Sequence, residues 1–124
     1  MKNFVYFTTG SEFVGKRKHV LFLEKSDILV SKFYNFDDLR DYLEQFKPAG
    51  IILTEDSEID NVLSITDIPI LLILKPGKSM SELMDKYFDK NIFFRYENDP
   101  INTILESAKL IQKISEYKNS PKLD

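Results

Sequence analysis

Apolar positions along this chain follow two rhythms in turn. Short unbroken runs come first: Phe4–Thr9 (FVYFTT), Ile28–Phe33 (ILVSKF), Ala49–Asp56 (AGIILTED), Ile68–Leu74 (IPILLIL) and Ile92–Tyr96 (IFFRY). Runs of this length, rich in β-branched and aromatic residues, read as strands, and those apolar throughout read as strands buried on both faces. Ile51, Ile52 and Leu53 stand in a row, which makes the third run the centre of a sheet. The second run is mixed and belongs nearer an edge.

Between the runs the spacing becomes helical. Phe36, Leu39, Tyr42, Leu43 and Phe46 recur at helical intervals after Asn35, with Asp37 and Asp38 in the first turn and Pro48 beyond the end. Ser79-Met80-Ser81-Glu82 is a capping box, opening a helix whose inner face is Met80, Leu83, Met84, Tyr87 and Phe88. Ser57–Leu63 reads as a short helix capped by Asp56 or Ser57. Asp99 as cap, with Pro100 in the first helical position, opens a last helix running to about Tyr117. Ser11–Lys25 is read as a helix from Phe13/Val20 and Val14/Leu21 spacing, although Gly15 and the basic run 16–19 weaken it.

Strand and helix therefore alternate five times. Right-handed crossovers turn that pattern into a parallel, doubly wound sheet with helices on both faces. The expected class is a three-layer α/β sandwich with strand order 2-1-3-4-5, the flavodoxin-like order, in which ligands bind past the carboxyl ends of the strands. Residues 1–118 read as one domain, and 119–124, polar with Pro121, as a tail or the start of a linker.

Composition narrows the chemistry. The chain has 124 residues, 43% hydrophobic and 30% charged, which suits one folded domain. A net charge of −3 argues against nucleic acid. There is no cysteine and one histidine, so thiolate chemistry and a histidine-cluster metal site are out of reach. No apolar stretch is long enough to span a membrane, and a cytoplasmic location is the default expectation. No metal or cofactor is expected.

Two clusters compete for a ligand. Gly10-Ser-Glu-Phe-Val-Gly15-Lys16-Arg17 nearly matches the phosphate-cradling G-x-x-x-x-G-K-[ST] loop, but Arg17 replaces the hydroxyl that would hold magnesium. A small-ligand or nucleotide site using Gly10, Gly15 and Lys16 is the alternative function. Glu55, Asp56, Glu58 and Asp60 gather at the carboxyl edge, where they read better as caps of a short helix than as acid–base groups. His19, inside the basic run, is placed on the surface.

Element order, length and three local patterns resemble the receiver (CheY-like) domain of bacterial response regulators. KPAGIILTED is similar to the third strand of that family, IPILLIL to the fourth, and NDPINTILESAKLI to the start of the last helix. The likeness runs from Asn3 to about Tyr117. In that family an aspartate at the end of the third strand takes the phosphoryl group, and an acidic pair at the end of the first strand holds magnesium. A Ser/Thr on the fourth strand and a lysine on the fifth complete the pocket. By resemblance these positions fall on Thr54, on Thr8 and Thr9, on Leu74, and on Tyr96-Glu97, or Arg95 with a one-residue slip. All depart from the pattern. Asp56, two residues beyond Thr54, would keep the same face, but no slip brings a carboxylate to the end of the first strand. The resemblance thus implies a pseudo-receiver: a non-enzymatic signalling module without the phosphoacceptor, working through protein contacts.

The last helix suggests where. Ile101, Ile104, Leu105, Ala108 and Ile111 form the inward stripe, while Thr103, Ser107, Leu110, Ile114 and Tyr117 form a second at 4-3-4-3 spacing. With Phe93 and Arg95 on the fifth strand, Leu110, Ile114 and Tyr117 are the expected interface, for a protein partner or a second copy.

Overall fold

The computed structural model describes residues 3–9 and 13–119, with the side chains of 13–17, 118 and 119 left aside. The strands are β1 (Asn3–Phe7), β2 (Leu29–Phe33), β3 (Gly50–Leu53), β4 (Ile70–Leu74) and β5 (Ile92–Tyr96). The helices are α1 (Phe13–Lys25), α2 (Phe36–Gln45), α3 (Ile59–Leu63), α4 (Met80–Lys86) and α5 (Ile101–Asn119). All pairings are parallel and the order is β2-β1-β3-β4-β5. This is the doubly wound α/β sandwich that the alternating pattern predicts.

Side chains along each strand alternate between two cores. Val5, Phe7, Ile51, Leu53, Ile70, Leu72 and Leu74 meet Leu39 of α2, Ile59 and Val62 of α3, and Leu83 of α4. Phe4, Tyr6, Ile52, Leu71 and Ile73 meet Val20 and Leu23 of α1 and Ile104, Ala108 and Ile111 of α5. β3 and β4 are buried at every residue, which explains their lack of polar alternation. Gly50 is required by a close approach. A Cβ there would lie 2.7 Å from Phe4 Cε2 and 2.8 Å from Ile111 Cγ2, so α5 seats against β3 only because that side chain is absent.

Local signals set several boundaries. Asn35 caps α2, its Oδ1 accepting from the Asp38 amide at 2.8 Å. Ser79 caps α4 by accepting from the Glu82 amide. The α1–β2 turn holds Asp27 at φ 65°, left-handed backbone that a short polar side chain tolerates better than most. The Tyr87 hydroxyl donates to Asp60 Oδ1 at 2.8 Å, and burial, then that bond, hold its phenol above the ordinary tyrosine range.

Other expectations are corrected. α4 ends at Lys86, so Phe88 lies outside it and is exposed, as is Met84. α3 has no side-chain cap; a 3₁₀ turn, Asp56–Glu58, precedes it. The Asp99 carboxylate accepts from the Tyr96 amide at 2.9 Å, and α5 begins at Ile101. His19 is 2% exposed, not on the surface: its Nε2 lies 3.1 Å from the Glu97 carbonyl, tying α1 to the β5–α5 loop. Ser107 is buried and donates to the Thr103 carbonyl at 3.1 Å, which breaks the second stripe of α5. Ser11 and Glu12, expected to open the first helix, lie outside the described residues.

Candidate functional site

β1 and β3 run side by side with Phe7 opposite Leu53, so the residues that follow them, Thr8 and Thr54, emerge together at the carboxyl edge. Both are buried. The Thr54 hydroxyl donates to Thr8 Oγ1 at 3.0 Å, and the Thr8 hydroxyl donates to Glu55 Oε1 at 3.0 Å. The Thr9 amide also donates to Glu55 Oε1, at 3.3 Å, and the Thr9 hydroxyl lies 3.3 Å from Glu55 Oε2 and 3.5 Å from Glu58 Oε1. Glu55 holds the N-cap position of the 3₁₀ turn Asp56–Glu58, but its side chain makes no cap bond. It reaches back across the sheet and collects donors from the end of β1.

Leu74 is buried and pairs with Tyr96 on β5. Tyr96 donates its hydroxyl to the Lys78 carbonyl at 2.8 Å, which holds the β4–α4 loop against β5. The strand β3 ends at Leu53, so strand alternation does not carry Asp56 onto the face of Thr54. Asp56 opens the 3₁₀ turn instead, and its Oδ1 lies 3.6 Å from Lys78 Nζ.

Magnesium takes oxygen ligands, carboxylates foremost. Thr8, Thr9 and Thr54 offer neutral hydroxyls engaged with one another and with Glu55, so the residues at the positions implied by the resemblance do not fit the ion.

Gly10 lies outside the described residues, and nothing is said of the Lys16 side chain. The backbone of Gly15 and Lys16 belongs to α1, which begins at Phe13. Two of the four residues between the glycines, Phe13 and Val14, are therefore already in α1.

The expected interface residues divide. Phe93 is half-buried and packs with Leu105 against the α1–α5 core. Arg95 is half-buried too; its Nη1 donates to the Phe94 carbonyl at 2.9 Å, and its Nε is buried with no hydrogen-bond partner among the described residues. Leu110 and Tyr117 are 47% and 85% exposed. Ile114 is half-buried, lining a cavity of about 50 Å³ with Pro48, Ala49, Ile68 and Pro69. At about 100° per residue, Leu110, Ile114 and Tyr117 lie roughly 120–180° around α5 from Leu105. They and Phe93 do not share one face.

No protein-family model and no curated protein matches the chain. Solved structures do. The receiver-modulated diguanylate cyclase of Pelobacter carbinolicus aligns with a TM-score of 0.71, 14% identity, over 95% of this chain and 97% of that one. A response regulator receiver protein of Burkholderia phymatum aligns at 0.68 and 15%, over 90% and 96%. The fold is receiver-like. The same architecture also occurs inside the constitutive lysine decarboxylase of E. coli, with a TM-score of 0.70 and 13% identity over 98% of this chain and 18% of that one. At such identities the likeness concerns fold alone. No helix among the described residues is long and apolar enough to cross a membrane.

Proposed function

We propose that this chain is a pseudo-receiver: a receiver-like regulatory module that signals by binding a protein partner and is not phosphorylated. One observation carries the reading. The place where this fold does its phosphoryl chemistry in receivers is occupied by Thr54, Thr8 and Leu74, all buried, with the two hydroxyls hydrogen-bonded to each other and to Glu55. Phosphoryl transfer relies on positioning and charge neutralisation, and neutral hydroxyls and a leucine supply neither. What is left to such a module is differential binding. Leu110, Ile114 and Tyr117 on α5, and Phe93 and Arg95 on β5, are the residues assigned to the partner, as two separate patches. A cytoplasmic setting accords with this role.

The test is direct. Incubation with magnesium and acetyl phosphate, or with beryllofluoride, should leave the intact mass and the amide spectrum unchanged. A phosphoaspartate at Asp56 would overturn the reading. For the surface, a photocrosslinker placed at Leu110 should trap a defined protein that Tyr117→Asp releases without lowering the melting temperature. Unchanged trapping in that variant counts against α5 as the contact.

A further inference from the structure

We propose that β2 is a self-pairing edge, and that a second copy of this chain docks on it antiparallel, with the two-fold axis at Ser31, to make a continuous ten-stranded sheet.

The backbone fixes the register. The Phe33 carbonyl accepts from the Thr8 amide, so Phe33 turns its polar groups toward β1. In a parallel ladder a residue's N–H and C=O point the same way and alternate along the strand. Leu29, Ser31 and Phe33 therefore face β1, while Val30 and Lys32 turn theirs outward. β2 is an outer strand of the sheet, so among the described residues these outward groups meet no neighbouring strand. An antiparallel copy must set outward groups against outward groups. A dyad at Ser31 does so, matching Val30 to the partner's Lys32 and Lys32 to the partner's Val30. Each match exchanges both bonds. A dyad at Lys32 sets two ammonium groups directly opposite, which is destabilising. A dyad at Val30 engages only one matched pair of these residues.

Side chains complete the same register. On the α2 side the dyad sets Leu29 opposite the partner's Phe33, and the reverse, as an isologous contact requires. These are non-hydrogen-bonded positions, where side chains come closest. Leu29 is 57% exposed. Phe33 leads into an aromatic row, with Tyr42 at 4.9 Å and Phe46 a further 4.9 Å on between ring centroids, and Phe46 is exposed. A strip with an open leucine at one end and an aromatic at the other covers itself when reversed. Charge agrees with the arrangement: on the α1 side each Lys32 Nζ lies 3.5 Å from Glu24 of its own chain, so the two lysines meet diagonally and already neutralised. The pairing leaves β5 at the far edge of each copy.

Sedimentation velocity on the full chain, from micromolar to millimolar, tests the proposal. The wild type should form a dimer. Val30→Pro should be monomeric with an unchanged circular dichroism spectrum, because the amide it removes faces outward and proline is tolerated at sheet edges. Should that variant fail to fold, Leu29→Glu reads the same loss from a side chain outside the ladder. The chain has no cysteine, so Ser31→Cys introduces a single thiol. Across the dyad its Cα separation, about 4.5 Å, lies within disulfide range. Mild oxidation should link two copies, and Lys32→Cys, displaced diagonally, should link far more slowly. A monomeric wild type at millimolar concentration overturns the proposal, as does a dimer that survives both Val30→Pro and Leu29→Glu. Faster linkage through Lys32→Cys overturns the register.

Discussion

The carboxyl end of β1 and β3 and the outer edge of β2 hold comparable groups in opposite states. At the first, Thr54, Thr8 and Glu55 are hydrogen-bonded in a row, with Thr8 and Thr54 buried. At the second, the backbone groups of Val30 and Lys32 turn away from β1 beside an exposed Leu29, with no further strand paired to β2 among the described residues. In this architecture the strand ends are the customary place for ligands. Here the ends of β1 and β3 carry a row of side-chain hydrogen bonds, and the backbone groups turned away from the sheet lie along β2. A site is defined by unsatisfied groups, and the position of a cleft in a fold does not supply them.

Substitutions can break or sharpen that contrast. The largest effect is expected from Thr54→Asp, which restores a receiver-like carboxylate but buries it beside Thr8 with no cation; the cost should be about 3–5 kcal/mol in urea denaturation. Stability close to wild type would show that the pocket is wet and open. Gly50→Ala forces a methyl against Phe4 and Ile111 and should cost about 2–3 kcal/mol by overpacking. Thr8→Val leaves the buried Thr54 hydroxyl without its acceptor and takes one donor from Glu55. About 1–2 kcal/mol should be lost, measured by thermal melting. At the other region Leu29→Glu should change stability of the monomer by no more than about 0.5 kcal/mol, because the side chain is exposed. If Leu29→Glu costs as much as Thr8→Val, the β2 edge is bound up in the fold no less than the pocket, and the contrast fails.

Much of the fold was legible in the residues. Ile51–Leu53 and the run ending at Leu74 are apolar throughout because both faces of β3 and β4 are covered, and length told them from helices. Asn35 and Ser79 announce helix starts because capping is local. What stayed hidden depends on distant partners. Glu55 reads as a cap within its own segment, yet it bonds to Thr8 and Thr9, contributed by another strand. His19 sits among lysines, which suggests solvent, yet it is buried against the Glu97 carbonyl 78 positions away. Ser107 broke a stripe because its hydroxyl is satisfied within its own helix, so burial costs it little. Phe88 continues a helical spacing past the point where the helix stops. That Thr8, Thr9 and Thr54 bring no charge of their own to the carboxyl edge was plain from the residues. That Glu55 would hydrogen-bond to Thr8 and Thr9 there was not.

The row from Thr54 through Thr8 to Glu55 also has a direction. A carboxylate can only accept. Thr8 must therefore turn its proton toward Glu55, which leaves its lone pairs for Thr54, whose proton then has a single orientation. Ordinary hydroxyls are rotors with several settings; these two are ordered from one end. Glu55→Gln, which has an amide able to donate, would release that order and allow the row to run either way. The charge on Glu55 thus sets the proton arrangement of two residues inside the protein while sitting at its rim.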